Sequence, residues 1–378
     1  MKNVYLIADN ICSPLGATTA QNFEQLVTDV SGVRRHDDKA MSDEPFFASL
    51  FEKDEFVDSN YTKFEQMLIA SITDTLKDIG VNLSDKKTAL IISTTKGNIS
   101  LLETEQPGPK LDERIALHTS AKKIAQHFGF VNEPTVVSHA CISGLVAMIT
   151  GMRLIQSDKY DHAVIAGADV ISRFVLSGFQ SFQAISPELC KPFDVSRNGI
   201  NLGEGAATVI LSAEKPLGEA IELVSGAISN DANHISGPSR TGEELYYAIN
   251  KAMDVAGLKS AEIDFISAHG TATIYNDDME AKAITLAGLQ LVPLNSLKGF
   301  YGHTLGASGL IEAIISARSL QRNLVIPTKG FKEQSGANPV NVCNQLISKP
   351  LNNCLKIASG FGGCNAAIIL TKSQQDLL

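Results

Sequence analysis

Short apolar runs rich in β-branched residues alternate with helical patterns along this chain, and the alternation occurs in two successive series. The first comprises Val4–Ile7, Thr88–Ser93, Thr135–Ser138, His162–Ala166 and Ala207–Ser212. The second comprises Ile221–Ser225, Phe265–Ala268, Val292–Asn295, Lys356–Ala358 and Ala367–Leu370. Unbroken apolar runs predict strands covered on both faces, because a half-exposed strand would alternate polar and apolar residues. Helices are predicted over Asn22–Val30, Lys63–Ile79, Glu243–Ala256, Asp277–Ala287 and Gly309–Gln321, the second with Phe64, Met67, Leu68, Ile72 and Leu76 on one face. The class is α/β. Lys215-Pro216-Leu217-Gly218 separates the series, giving an N-terminal half of 1–215 and a C-terminal half of 216–378. Their similar element order is a weak sign of internal duplication, since an α/β chain produces alternation without one. Residues 35–60, charged and irregular, read as a surface excursion.

With 378 residues and 44% hydrophobic content, the chain can bury a large core. A net charge of −9 argues against nonspecific nucleic-acid binding, which needs a basic surface. Cysteines at 12, 141, 190, 343, 354 and 364 form no metal-binding pair spacing. The first apolar run is short and interrupted by Asp9, unlike a signal peptide, and no 18-residue apolar stretch supplies a membrane span. The expectation is a soluble protein of the reducing cytoplasm.

Chemistry concentrates at a few strand ends. Thr135–Val137 runs into Ser138-His139-Ala140-Cys141, and an apolar helical stretch follows. A lone cysteine is more often structural. A thiol at a helix start, however, is expected to have its pKa lowered by free N–H groups and the helix dipole. His269 follows the strand ending at Ala268, and His303 lies in Lys298-Gly299-Phe300-Tyr301-Gly302-His303. Glycine beside each allows close backbone approach. Neither histidine has a carboxylate or second histidine at ligand spacing, so no metal is expected. Ser359-Gly360-Phe361-Gly362-Gly363-Cys364-Asn365 adds a glycine turn around one aromatic. A thiolate to accept an acyl group, backbone N–H donors for an oxyanion, neutral imidazoles for an enolate and a nearby cation are the parts of a carbon–carbon bond-forming thioester enzyme.

The ordered set Ala140–Gly144, Pro192–Gly199, Gly203–Ala207, His269–Thr273, Lys298–Gly309 and Gly360–Asn365 resembles the elongating β-ketoacyl-acyl carrier protein synthases, nearly end to end. The resemblance implies a thiolase fold, with duplicated βαβαβαββ halves forming a five-layer αβαβα sandwich. It implies that Cys141 accepts the acyl group, and that His269 and His303, with Lys298, drive decarboxylation and condensation. Phe361 would be the aromatic gate, its N–H forming the oxyanion hole with that of Cys141. Thr271 and Thr273 would bind a phosphopantetheine arm carried by the substrate, with no cofactor of the protein's own. Glu312 would support Lys298 from the next helix, and Asp277 is either a supporting acid or a solvated helix charge. The implied partners are acyl carrier protein and a second subunit, identical or a related chain-length subunit.

Five features differ from the family's usual pattern: Ser359 and Cys364 in the gate turn, Tyr301 beside His303, Asn198 after Arg197, Gln183 where a basic residue is usual, and a short segment over 97–120. Competing readings are a coenzyme A thiolase, which needs a second catalytic cysteine; a non-catalytic chain-length partner, which typically lacks the nucleophile; and an acyl-coenzyme A starter synthase, which typically pairs cysteine with histidine and asparagine.

Overall fold

The computed structural model describes residues 2–53, 55–77, 79–232, 237–334 and 338–373. Its main sheet contains β1 (Tyr5–Cys12), β2 (Thr88–Ser93), β3 (Thr135–Val137), β4 (His162–Asp169), β5 (Gly205–Ser212), β6 (Ala220–Asn230), β7 (Phe265–Ser267), β8 (Leu294–Asn295), β9 (Asn353–Gly360) and β10 (Cys364–Ser373). Their spatial order is β8-β7-β9-β10-β6-β1-β5-β4-β2-β3. Read from either outer edge inward, each set of five runs third, second, fourth, fifth, first. The directions match too: β2 is parallel to β3 and β4, as β7 is to β8 and β9, and the remaining pairings within each set are antiparallel. The sets join where Tyr5 and Leu6 of β1 pair with Glu222 and Ile221 of β6.

The helices used below are α1 (Lys63–Thr75), α2 (Leu117–Phe128), α3 (Ser143–Gln156), α4 (Arg173–Ser181), α5 (Glu243–Ala256), α6 (Ile274–Leu286) and α7 (Ser308–Arg322). They and the strands form five layers. Along β2, Ala89 and Ile91 face a middle core with Leu145 and Met148 of α3 and Leu310 and Ile314 of α7. Leu90 and Ile92 face an outer core with Phe64, Met67 and Leu68 of α1 and Ile124 of α2. On the far side, Leu355 and Ile357 of β9 pack with Leu245 and Ile249 of α5 and Met279 and Ile284 of α6. The period-2 strand geometry thus sends successive side chains into different cores, which is why the runs are apolar throughout.

The two middle-layer helices approach at their first turns. A Cβ on Gly144 would lie 2.6 Å from Leu310 N, and one on Gly309 would lie 2.9 Å from Leu145 Cγ. Only glycine permits this approach, and it sets the separation of the segments that lead into α3 and α7, namely Cys141 and His303.

The stretch 35–60 is not merely a surface excursion. Arg34–His36 pairs with Phe46–Ser49, which pairs in turn with Leu202–Gly203, and Phe46 and Ala48 are buried. Its charges crowd the 37–44 connection and mask the apolar strand behind it. Helix α1 stops at Thr75, short of Ile79, and α6 begins at Ile274, so Asp277 falls in its first turn.

Candidate active site

Cys141 sits in a sharp elbow between β3 and α3. Ala140 has φ of +46°, a left-handed conformation that costs a non-glycine residue about 1–2 kcal/mol. Ser143 holds it there: its Oγ donates to Ala140 O (2.7 Å) and accepts from His139 N (2.8 Å). Cys141 as a whole is 8% exposed, and the backbone N–H of Phe361 donates to its sulfur. Burial pushes the Cys141 thiol up, against the pull of Lys298, Lys96 and the Phe361 N–H. This corrects the expectation of a lowered pKa: withdrawal from water outweighs the cations and the Phe361 N–H. The thiol keeps its proton at rest.

His269 follows β7, and its loop is held by two acids of α6. Glu280 accepts from His269 N (2.7 Å), Gly270 N (2.6 Å) and Asn276 Nδ2 (2.8 Å). Asp277 accepts from Thr271 N (2.9 Å) and from Phe193 N (2.7 Å). Asp277 is therefore buried and bonded, not a solvated helix charge. Burial raises its carboxyl to about 6, and burial together with Asp277 raises Glu280 to about 7. His303 is fixed through its backbone, donating to Asn201 O (2.7 Å) and accepting from Gly203 N (3.0 Å). Buried Asp169 ties the following turn down, taking Gly306 N (2.7 Å) and the Thr94 and Thr95 hydroxyls (2.8 and 3.0 Å).

The two rings meet edge to face, with centroids 5.1 Å apart. One donor atom each from Cys141, His269 and His303 lies within 4.8 Å of the others. Spacing in sequence gave no hint of this convergence, so it cannot exclude a metal. The electrostatics oppose one: buried Lys298 and Lys356 and half-buried Lys96 surround the triangle, and their field repels a dication. Burial first, and then Lys298, hold both imidazoles well below the ordinary histidine range. Both rings are neutral at neutral pH. The expected result is that their imidazole NMR shifts stay constant from about pH 7.5 to about 5.5, a range in which an unperturbed histidine titrates. Titration of either ring with a midpoint near the ordinary value would contradict this electrostatic picture.

Glu312 bridges Lys298, through Oε1, and Lys356, whose Nζ lies 2.6 Å from Oε2. Phe361, 40% exposed, stacks on Phe179 of α4 (5.7 Å) and lies against Phe182 (5.6 Å). A cavity of about 440 Å³ opens here, lined by Cys141, both imidazoles, Thr271, Thr273 and Phe361. The two threonine hydroxyls are 2.8 Å apart. Gln183 and Asn198 line it too, whereas Tyr301 and Cys364 do not. Tyr301 is in the middle core, and Cys364 is buried behind the gate turn, its sulfur 3.4 Å from Phe361 O. Burial pushes the Cys354 and Cys364 thiols up to about 12, a poor state for the second acid/base thiol that a thiolase needs.

Glu280, Asp169, Lys96 and Lys356 were not identified from the sequence. Only Glu280 carried a local signal, one helical turn beyond Asp277 on the same face. The arrangement offers a buried nucleophile, N–H donation at its sulfur, two neutral hydrogen-bonding rings and a net positive surround. That is the equipment for stabilising anions generated beside an acyl thiol.

Known proteins are similar to this chain in sequence and in fold. The profile described as "Beta-ketoacyl synthase, N-terminal domain" matches residues 3–216, and "Beta-ketoacyl synthase, C-terminal domain" matches 221–332. The 3-oxoacyl-acyl-carrier-protein synthase 2 of Vibrio cholerae is 28% identical, over 98% of this chain and 99% of that one. The tetracenomycin polyketide synthase ketoacyl synthase alpha subunit of Streptomyces glaucescens is 28% identical, over 84% and 83%. The ishigamide ketosynthase/chain length factor superposes with a TM-score of 0.89 at 26% identity, covering 98% of this chain and 99% of that one. With the thiol on one matched segment and both imidazoles on the other, this chain belongs to the β-ketoacyl synthase family.

Proposed function

We propose that this protein catalyses a decarboxylative Claisen condensation between an acyl group held on Cys141 and a malonyl group held on an acyl carrier protein. The observation that carries the reading is the convergence of the Cys141 thiol with two neutral imidazoles within 4.8 Å. The first half, 1–215, supplies the thiol. The second, 216–378, supplies the imidazoles, Lys298 and the Phe361 gate.

In the first half-reaction the Cys141 sulfur attacks the carbonyl of an acyl thioester. The Cys141 and Phe361 N–H groups receive the oxyanion, and the thiol proton leaves on the departing phosphopantetheine thiol. Thr271 and Thr273 bind that arm along the cavity wall. In the second, the malonyl thioester loses CO2, and the C–C bond electrons become an enolate. His269 and His303 donate to its oxygen as neutral rings, aided by the field of Lys298, which Glu312 orients. The enolate carbon attacks the Cys141 thioester, and the tetrahedral adduct collapses, releasing the β-ketoacyl group on its carrier and expelling the Cys141 sulfur as a thiolate, which takes up one proton from solvent to restore the resting thiol. Asp277 fixes the loop bearing His269 and Thr271.

We assign the reaction to the cytoplasm and to fatty acid or polyketide synthesis, the latter being the pathway in the Streptomyces glaucescens relative's name. No helix among the described residues is long and apolar enough to cross a membrane. A second subunit, identical or of the chain-length type paired in the ishigamide protein, completes the assembly. The reading as a non-catalytic partner is disfavoured by Cys141 itself, with its elbow and N–H donor. In the test, acyl and malonyl carrier proteins are supplied together, and CO2 and products are quantified. One CO2 per β-ketoacyl product is expected. Product formed from two acyl-coenzyme A molecules without CO2 would indicate a thiolase and overturn the reading.

A further inference from the structure

We infer that Lys356 is a positioning residue, clamping the strand end that carries His269 and sharing Glu312 with Lys298. The inference rests on the condensing-enzyme reading for its kinetic consequence and on geometry alone for its electrostatic one. Lys356 lies on β9 directly opposite Ser267 of β7 and is wholly buried. A buried lysine is rare unless paired, and this one uses all its donors. Its ammonium donates to Ala268 O (3.0 Å) and Ile357 O (2.7 Å), reaches Ser267 O (3.3 Å), and pairs with Glu312 Oε2 (2.6 Å). Ala268 is the residue before His269, so the ammonium fixes the carbonyl from which the His269 backbone departs.

The other Glu312 oxygen takes Lys298 and the Ser308 hydroxyl, the latter at 3.0 Å. Two lysines therefore share one carboxylate, all three side chains buried; burial lowers Lys356 against the pull of Glu312 and Glu280, and with both ammoniums charged the trio carries one net positive charge. Without Lys356, Glu312 and Lys298 would neutralise one another, and the field at the imidazoles would weaken. Lys356 does not line the cavity, so it acts through Ala268 and Glu312, not on substrate.

The groups that set the imidazole charge are few. Lys298 and Lys356 act on both rings, Lys96 on His303 and His303 on His269, Glu280 and Asp277 hold the His269 loop, and Asp169, Glu312 and the Tyr301 phenol flank the elements around His303. Lys356, like Lys298 and Glu312, lies off the cavity wall, so altering it leaves the lining in place.

The test compares Lys356→Met, which removes donor and charge, with Lys356→Gln, which keeps an N–H donor but no charge. In Lys356→Met, malonyl decarboxylation should fall by about tenfold or more in kcat, the equivalent of one charge-assisted hydrogen bond, with KM little changed. Its acid limb should move to higher pH, because the imidazoles lose a repelling cation. Lys356→Gln should recover part of the rate and keep the shifted limb. Imidazole NMR titration gives the same comparison without turnover, so failure of the condensing-enzyme reading remains distinguishable from failure of this one. If Lys356→Met does not fold, the titration of Lys356→Gln decides alone. Imidazole titration in Lys356→Gln identical to the native protein's would overturn the inference, as would a native rate and pH profile in folded Lys356→Met.

Discussion

Cys141→Ala should abolish acyl uptake and drive condensation to the assay floor, a fall on the order of 10⁶-fold, as for the loss of other catalytic nucleophiles. Cys141 is the only cysteine on the cavity wall among the described residues, and the other five thiols are buried elsewhere. Cys141→Gln should behave differently. Its carboxamide places a carbonyl near the Phe361 N–H that normally meets sulfur, imitating the acylated enzyme. Malonyl decarboxylation should therefore continue while condensation is lost, measured as CO2 release against β-ketoacyl formation. The two variants separate the thiol's role as acceptor from the imidazoles' role in generating the enolate. Decarboxylation lost equally in both would mean that the sulfur itself takes part in losing CO2.

His269→Ala and His303→Ala should each lower decarboxylation and condensation by about 10²–10⁴-fold, the range found when one preorganised donor or proton-transfer group is removed. The pair should be far from additive, because both rings address one developing charge. Acylation of Cys141 should suffer less, since the Phe361 N–H donation survives. Native-rate condensation by both variants would sink the two-histidine mechanism.

Much of this is legible in the sequence. Thr88–Ser93 and Glu243–Ala256 occur within the bounds their patterns predict, because each is a self-contained run with a clear period. Where the signal is diluted, the edges move. Ala367–Leu370 is the apolar centre of a strand running Cys364–Ser373, whose polar ends pair with β6 and β9 and have no pattern of their own. Phe46–Ser49 was hidden by neighbouring charges. The site shows the same division. Cys141, His269, His303 and Lys298 stand in glycine-marked strand ends, and the structure brings them together. Lys356 looked like an ordinary strand residue, because its significance depends on Glu312, forty-four residues away, and on carbonyls of another strand. Nor could local sequence give the sign of the Cys141 shift. Burial is a sum over segments distant in the chain, and here it outweighs every local influence that favours the thiolate.

The most direct measurement is intact-protein and peptide mass spectrometry after brief incubation with a panel of acyl carrier proteins. A single acyl adduct on the peptide containing Cys141, absent from Cys141→Ala and discharged on addition of malonyl carrier protein, is the predicted result. An acyl group carried on any other residue, or taken up undiminished by Cys141→Ala, would contradict the account.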